Sequence, residues 1–230
     1  MKSVIIENLS FIRANRPILE NISLSVKPGE SVAFYGSNGA GKTTLLTLIN
    51  GLLFCKKGRI IIGDTILSQK TIQQIRTAIG YVPQNFDVDY RMPILSKTVV
   101  LSGCYGKIGL FHHPDRCILE RAYNLMEKLE IAHISDRPFG QISGGERQKI
   151  MIARALMQDP EILLLDEPFS SVSETSKEKI IEIIKTWHKE KGITIFLVSH
   201  EKTAIEQLCN RIFYMDEGKI TSQEMIYGTL

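Results

Sequence analysis

Short apolar runs alternate with helical patterns along this 230-residue chain. Runs of aliphatic and aromatic residues predict β-strands, and apolar positions three and four residues apart predict amphipathic helices. The predicted strands span 4–11, 31–35, 59–62, 79–82, 162–165, 194–198 and 211–215, and the predicted helices span 41–50, 115–129, 177–189 and 202–209. Because buried strands separated by helices favour a mainly parallel sheet covered on both faces, the pattern indicates an α/β fold.

Residues 85–159 interrupt this alternation, since helical periodicity dominates there. No internal repeat or low-complexity linker divides the chain. We therefore expect one domain over residues 1–230, with a core formed by residues 1–84 and 160–230 and a helical subdomain formed by residues 85–159.

Composition places the chain among ordinary folded proteins. It is 43% hydrophobic and 23% charged, which excludes disordered and disulfide-stapled classes. A net charge of +3 is too small to indicate nucleic acid, so we expect no nucleic-acid partner. No apolar run approaches the ~20 residues of a membrane span, and four scattered cysteines are typical of reduced thiols in the cytosol. We therefore expect any membrane role to come through a partner.

A glycine-rich loop between a predicted strand and a predicted helix matches the phosphate-binding pattern G-x-x-x-x-G-K-[ST]. The candidate nucleotide-binding residues are Gly36, Ser37, Asn38, Gly39, Ala40, Gly41, Lys42, Thr43 and Thr44. Successive backbone N–H groups at the positive end of a helix bind phosphate oxygens. Lys42 can reach the β- and γ-phosphates, and the Thr43 hydroxyl can ligate Mg²⁺.

An aliphatic strand, residues 162–165, ends in Asp166-Glu167-Pro168. A carboxylate at this position, Asp166, can hold the Mg²⁺ shell, and Glu167 can orient or deprotonate an attacking water. Two acids at a strand end are weak evidence alone. Together with the phosphate-binding loop they predict a nucleotide hydrolase.

Three further motifs identify a family. The segment Ile142-Ser143-Gly144-Gly145-Glu146 resembles the ABC signature, commonly Leu-Ser-Gly-Gly-Gln, and it opens a predicted helix where Ser143 and Glu146 form a capping box. Gln84 matches the Q-loop of the ABC family, and His200 matches its switch histidine.

The resemblance to ABC ATPases covers nearly the whole chain. It implies a P-loop NTPase fold with a RecA-like core, an N-terminal antiparallel β subdomain and a helical insertion. It implies catalytic roles for Glu167, His200 and Lys42, and a Mg²⁺ shell of Thr43, Gln84 and Asp166. It also implies a homodimer upon ATP binding, in which Ser143, Gly144, Gly145 and Glu146 of one subunit face the ATP of the other.

One cassette without a membrane span resembles the separate subunit of a prokaryotic importer. Such a subunit works at the cytoplasmic face of the cell membrane with an integral membrane permease and an extracytoplasmic binding protein. Residues 88–93 and 103–111 resemble the branch that imports manganese, zinc or iron. In that branch this region receives a permease helix, so we expect docking over residues 90–111. An importer of iron chelates or haem, and a non-transport ATPase such as a cluster-assembly type, stay open as alternatives.

Three positions depart from the family pattern. Arg13 stands where an aromatic residue usually stacks on adenine, and a guanidinium can also stack on a purine. Ser173 replaces the aspartate of the D-loop, which puts communication across the dimer in doubt. Glu146 replaces the usual glutamine of the signature. His112, His113 and Cys117 fit no standard zinc pattern.

Overall fold

The structure is a computed structural model that describes residues 2–85, 89, 91–109 and 112–226. Four residues of the metal-importer resemblance, Val88, Tyr90, Leu110 and Phe111, lie outside the described residues.

Two β-sheets form the centre of the described chain. A four-stranded antiparallel sheet has the order β2-β1-β4-β5, and a six-stranded sheet has the order β10-β9-β3-β8-β7-β6. In the larger sheet only β10 is antiparallel to its neighbour. The strands are β1 (Val4–Arg13), β2 (Arg16–Val26), β3 (Ser31–Gly36), β4 (Lys57–Ile62), β5 (Thr65–Ile66), β6 (Ile79–Val82), β7 (Ile162–Asp166), β8 (Thr194–Val198), β9 (Arg211–Asp216) and β10 (Lys219–Met225).

Helices cover the parallel sheet and fill the middle of the chain. They are α1 (Lys42–Ile49), α2 (Ile72–Arg76), α3 (Ser96–Leu101), α4 (Tyr105–Ile108), α5 (Arg116–Lys128), α6 (Gly144–Met157), α7 (Glu174–Lys191) and α8 (Lys202–Leu208). Two 3-10 turns, Ala132–Ile134 and Phe139–Gln141, precede α6. The predicted α/β fold class, including the antiparallel β subdomain, is confirmed.

Burial explains why the central strands pair in this way. Every residue of β7 and β8 is buried, as expected for parallel strands covered by helices on both faces. Along β7 the apolar side chains alternate between two core clusters, with Leu163 and Leu165 in one and Leu164 in the other. The C-terminal ends of β3, β7 and β8 therefore meet at one edge of the sheet, where the predicted site residues begin.

Helices α3, α5 and α6 pack on one another in the region predicted as a helical subdomain. Within the described part of residues 85–159, the one β contact is an isolated bridge between Leu95 and Pro138. No helix among the described residues is long and apolar enough to cross a membrane.

Candidate nucleotide-binding site

The phosphate-binding loop connects β3 to α1 and is held by close backbone packing. A Cβ at Gly36 would lie 2.0 Å from the carbonyl oxygen of Met215, so a larger residue cannot occupy this position without displacing β9. Gly41 has a φ of 95°, a left-handed conformation that favours glycine. The loop therefore needs glycine at these two positions, and it directs the first N–H groups of α1 toward the cavity described next.

A cavity of about 410 Å³ lies at the end of this loop. It collects residues from β2, the loop, α1 and the ends of β6, β7 and β8. Its lining residues are Ile18, Asn38, Gly39, Gly41, Lys42, Thr43, Thr44, Gln84, Glu167, Val198 and His200. Most of the predicted nucleotide-binding residues and all three predicted catalytic residues thus share one cavity.

Lys42 curls back over the loop that precedes it. Its Nζ donates to the carbonyl oxygens of Gly36 and Ser37, at 2.8 Å each. Burial lowers the pKa of the Lys42 ammonium, while the nearby carboxylates of Glu167 and Asp166 act in the opposite direction. A cation on the edge of this cavity suits phosphate oxygens, which are anionic.

Thr43 and Asp166 join the loop to the end of β7. The Thr43 Oγ1 donates to Asp166 Oδ1 at 3.0 Å, although the two residues are 123 positions apart. Asp166 is buried, and burial raises the pKa of its carboxyl group, against the opposing effects of the Thr43 hydrogen bond and the Lys42 charge. A hydroxyl and a carboxylate oxygen at this separation are ligands of the type that Mg²⁺ prefers, so the donor set fits this ion.

Glu167 follows Asp166 in a strained backbone conformation. Its φ is 47°, which is uncommon for a residue other than glycine, and its N–H donates to the carbonyl of Val198 at 2.9 Å. The side chain lies next to that of His200, with 3.3 Å between Glu167 Oε1 and His200 Nε2. Strain at a cavity-lining acid is typical of a functional position.

The carboxyl group of Glu167 is adjusted for proton transfer near neutral pH. Burial raises its pKa from 4.5 to about 7, and the Asp166 charge adds to the increase. Burial also lowers the pKa of His200, and the Lys42 charge lowers it further. Among the described residues, none donates a hydrogen bond to the buried Oε1 of Glu167. This oxygen is enclosed beside the His200 ring, and a carboxyl group whose pKa lies near neutrality can accept a proton at neutral pH.

The signature residues lie at the N-terminus of α6. Ser143 caps the helix and forms the predicted capping box with Glu146, which is confirmed. Gly145 packs against the loop after β7, since a Cβ there would lie 2.7 Å from the carbonyl oxygen of Ser171. Of the described residues that line the 410 Å³ cavity, none belongs to the signature. A single chain therefore keeps its signature residues apart from its own phosphate-binding loop.

Arg13 is placed differently from the other candidates. It is exposed at the end of β1, where it pairs with Arg16 across the β1–β2 hairpin. Among the described residues Arg13 does not line the cavity, whereas Ile18 of β2 does. Sequence reasoning missed Ile18 because a single aliphatic residue in an unpredicted strand carries no chemical signal.

Comparisons with known proteins agree with this geometry. A family model described as "ABC transporter" matches residues 19–170. The manganese transport system ATP-binding protein of Bacillus subtilis is 35% identical over 220 residues, which cover 96% of this chain and 86% of that protein. The zinc transport system ATP-binding protein of Treponema pallidum is 31% identical over 225 residues, covering 96% and 82%.

Relatives named for other substrates are similar to the same degree. The methionine import ATP-binding protein of Caulobacter vibrioides is 33% identical over 218 residues, covering 93% of this chain and 64% of that protein. A solved dimeric ATP-binding cassette bound to ADP and phosphate superposes with a TM-score of 0.87 at 28% identity, covering 98% of this chain and 99% of that chain. The chain belongs to the ABC transporter family, as an ATP-binding subunit that hydrolyses ATP.

Proposed function

We propose that this chain energises the import of a transition-metal ion, manganese, zinc or iron, by hydrolysing ATP at the cavity around Lys42. The assignment of ATP hydrolysis rests on one observation: the phosphate-binding loop, the Thr43–Asp166 pair and the Glu167 carboxylate lie together at one cavity. These parts supply the cation, the metal ligands and the base that phosphoryl transfer to water needs.

ATP binds with its phosphates on the N–H groups at the start of α1 and beside the Lys42 ammonium. Thr43, Gln84 and Asp166 would hold Mg²⁺, which would neutralise charge on the β- and γ-phosphates. Gln84 is exposed and lines the same cavity as Thr43.

Glu167 acts as the general base. With a pKa of about 7 its carboxylate is partly ionised at neutral pH, and it accepts a proton from the attacking water. His200, neutral at this pH because its pKa is lowered, positions the γ-phosphate beside that water. The left-handed backbone of Glu167 directs its side chain into the cavity instead of along the strand.

Two subunits complete the catalytic unit. Ser143, Gly144, Gly145 and Glu146 of one copy face the ATP held by the other, so that each ATP is enclosed by both chains. Two observations support this arrangement: the signature lies outside its own chain's cavity, and a similar cassette is dimeric with ADP and phosphate bound. In the same proposal residues 85–159 act as the subdomain that carries the signature.

A second cavity, of about 420 Å³, supports docking of a permease helix. It lies between the parallel sheet and α6, and its lining residues are Asn50, Leu52, Arg76, Ile79, Tyr81, Pro83, Arg154, Ala155 and Gln158. Leu52 is 51% exposed at its rim, which suits an apolar partner surface. Pro83 lines this groove while the next residue, Gln84, lines the ATP cavity.

The turn between α3 and α4, part of the predicted docking region, packs against one residue of the groove wall, Arg154. A Cβ at Gly103 would lie 2.1 Å from the carbonyl oxygen of Arg154, and a Cβ at Gly106 would lie 3.9 Å from Thr77. Glycine at position 103 thus allows this turn to approach the groove wall closely, whereas position 106 has room for a larger residue. We infer that the permease recruits this chain to the cytoplasmic face of the membrane here, and that an extracytoplasmic binding protein delivers the ion.

Uptake measurements test the function. In cells carrying the cognate permease, Tyr105→Asp should abolish membrane recruitment and uptake of labelled manganese, zinc or iron. The purified variant should keep the intrinsic ATPase activity of the subunit. Tyr123→Asp is the matched control, because Tyr123 is an exposed tyrosine on α5, outside the predicted docking region 90–111. Full uptake by a stable Tyr105→Asp variant would contradict the docking assignment. Uptake of methionine or haem instead of a metal ion would show that the proposed substrate is wrong.

A further inference from the structure

The signature serine is already hydrogen-bonded within its own chain. The Ser143 Oγ donates to Glu146 Oε2 at 2.6 Å, and the Ser143 N–H donates to the same oxygen at 2.8 Å. In return the Ser143 Oγ accepts from the Glu146 N–H at 3.3 Å. A serine hydroxyl has one hydrogen, so it cannot donate to Glu146 and to a phosphate at the same time.

The acceptor is a charged group. The Ser143 hydrogen bonds lower the pKa of the Glu146 carboxyl, and the charges of His133 and Arg137 lower it further, so it is ionised at neutral pH. His133 Nε2 lies 3.8 Å from Glu146 Oε1 on the side away from Ser143. A glutamine could accept the same hydrogen bonds without the negative charge.

We propose that the Glu146 carboxylate opposes the ATP-driven pairing of two subunits by holding the Ser143 hydroxyl and by placing a negative charge beside it. This inference rests on the proposed role of Ser143 toward the ATP of the other subunit. There, an anionic γ-phosphate must approach the oxygen that lies 2.6 Å from the carboxylate. Two like charges a few ångströms apart repel, and burial in the closed interface strengthens the repulsion.

Glu146 is therefore a positioning residue, and its charge sets the ATP concentration at which the two subunits close on each other. The helix N-terminus still attracts the phosphate, so Glu146 weakens closure without preventing it. Glu146→Gln should retain the cap and remove the charge. Like charges ~4–6 Å apart at an interface repel with an energy that corresponds to about a tenfold change in an equilibrium constant. We therefore expect about a tenfold decrease in the ATP concentration that gives half-maximal dimer.

The test compares ATP titrations of dimer formation, followed by light scattering, in a Glu167→Gln background that slows turnover. Glu190→Gln, which makes the same charge change at the exposed far end of α7, should titrate like the background protein. Glu146→Asp retains the charge and should not resemble Glu146→Gln. The advantage of Glu146→Gln should also shrink in 0.5 M salt, because screening weakens exposed charges, whereas a merely structural change would not respond to salt.

The outcomes separate this inference from the proposed function. An unchanged or higher half-maximal ATP concentration for Glu146→Gln would overturn the inference, provided that Ser143→Ala alters dimer formation. If Ser143→Ala also leaves dimer formation unchanged, the proposed role of the signature fails. Should Glu146→Gln not fold, Glu146→Ala takes its place: a lower ATP requirement than that of Glu146→Asp would support the charge effect, and equal requirements would refute it.

Discussion

Glu167 provides a test in which stability and activity change in opposite directions. Burial raises the pKa of its carboxyl from 4.5 to about 7, so the folded chain binds a proton that the unfolded chain has released between these values. Stability from this group is therefore fully present below about pH 4.5 and is lost as pH rises toward 7. A difference of about 2.5 pKa units corresponds to about 3 kcal/mol, an upper value because the side chain is 12% exposed.

Replacing Glu167 with Gln removes the titration and most of the destabilisation. Urea unfolding without nucleotide should show Glu167→Gln close to the wild type at pH 4.5 and more stable by up to about 3 kcal/mol at pH 8. The same variant should bind ATP and hydrolyse it roughly 10²-fold more slowly, because the base is gone. Glu190→Gln, at an exposed site, controls for net charge.

Two results would refute this reasoning. A stability difference that does not grow between pH 4.5 and pH 8 would mean that Glu167 is not a buried carboxyl with a raised pKa. Unchanged turnover would remove Glu167 from the mechanism while leaving the stability argument intact. The two measurements therefore test the burial and the chemistry separately.

Three further predictions concern the ATP cavity and the signature. ATP turnover of the wild type should rise with pH to a plateau with an apparent pKa of about 7, since the base must be ionised; a flat profile from pH 6 to pH 8 would contradict this. Lys42→Ala should weaken ATP binding by at least about tenfold in calorimetry, as expected for lost charge-assisted hydrogen bonds, and wild-type affinity would exclude the phosphate-loop role. Gly145→Ala should lower the free energy of unfolding by about 1–3 kcal/mol in urea, because its Cβ would lie 2.7 Å from the Ser171 carbonyl. Gly106→Ala, which has 3.9 Å to its nearest neighbour, is the control, and equal losses in both variants would count against the contact.

Local signals predicted the centre of the fold well. The spans 79–82 and 194–198 agree with β6 and β8, because each is a short apolar run with clear ends. The β2 strand was missed, although Leu19, Ile22, Leu24 and Val26 are buried along it. Asn21, with a φ of 52°, interrupts the two-residue alternation, so the pattern does not look like one strand. The short β5 and the polar β10 likewise lack a periodic apolar signal.

The candidate site was predictable as a set of residues but not as a geometry. Consecutive motifs identified Lys42, Asp166 and Glu167, since their chemistry depends on spacing within one segment. The Thr43–Asp166 hydrogen bond joins residues 123 positions apart and depends on the strand order, which no local pattern contains. Ile18 enters the cavity, and Arg13 does not, because of where the β1–β2 hairpin lies relative to α1. Tertiary packing decides both.

Two stretches of backbone lead away from the groove, one to the chain's own ATP cavity and one to the signature. In the proposed dimer they explain how docking can affect hydrolysis at both ATP sites. At the end of β6, Pro83 lines the groove and Gln84 lines the chain's own ATP cavity, one peptide bond apart. Among the strands that the structure describes, β6 pairs with β7 alone, so its end can shift without breaking a second ladder. Along α6, Arg154 lines the groove and Ser143 caps the other end, so one helix links the groove to the signature, which in the proposed dimer faces the other subunit's ATP. In the proposed complex, a permease helix in the groove would therefore lie one peptide bond from the Mg²⁺ ligand of one site and on the same helix as the phosphate-binding cap of the other, and it would favour closure by stabilising both positions together.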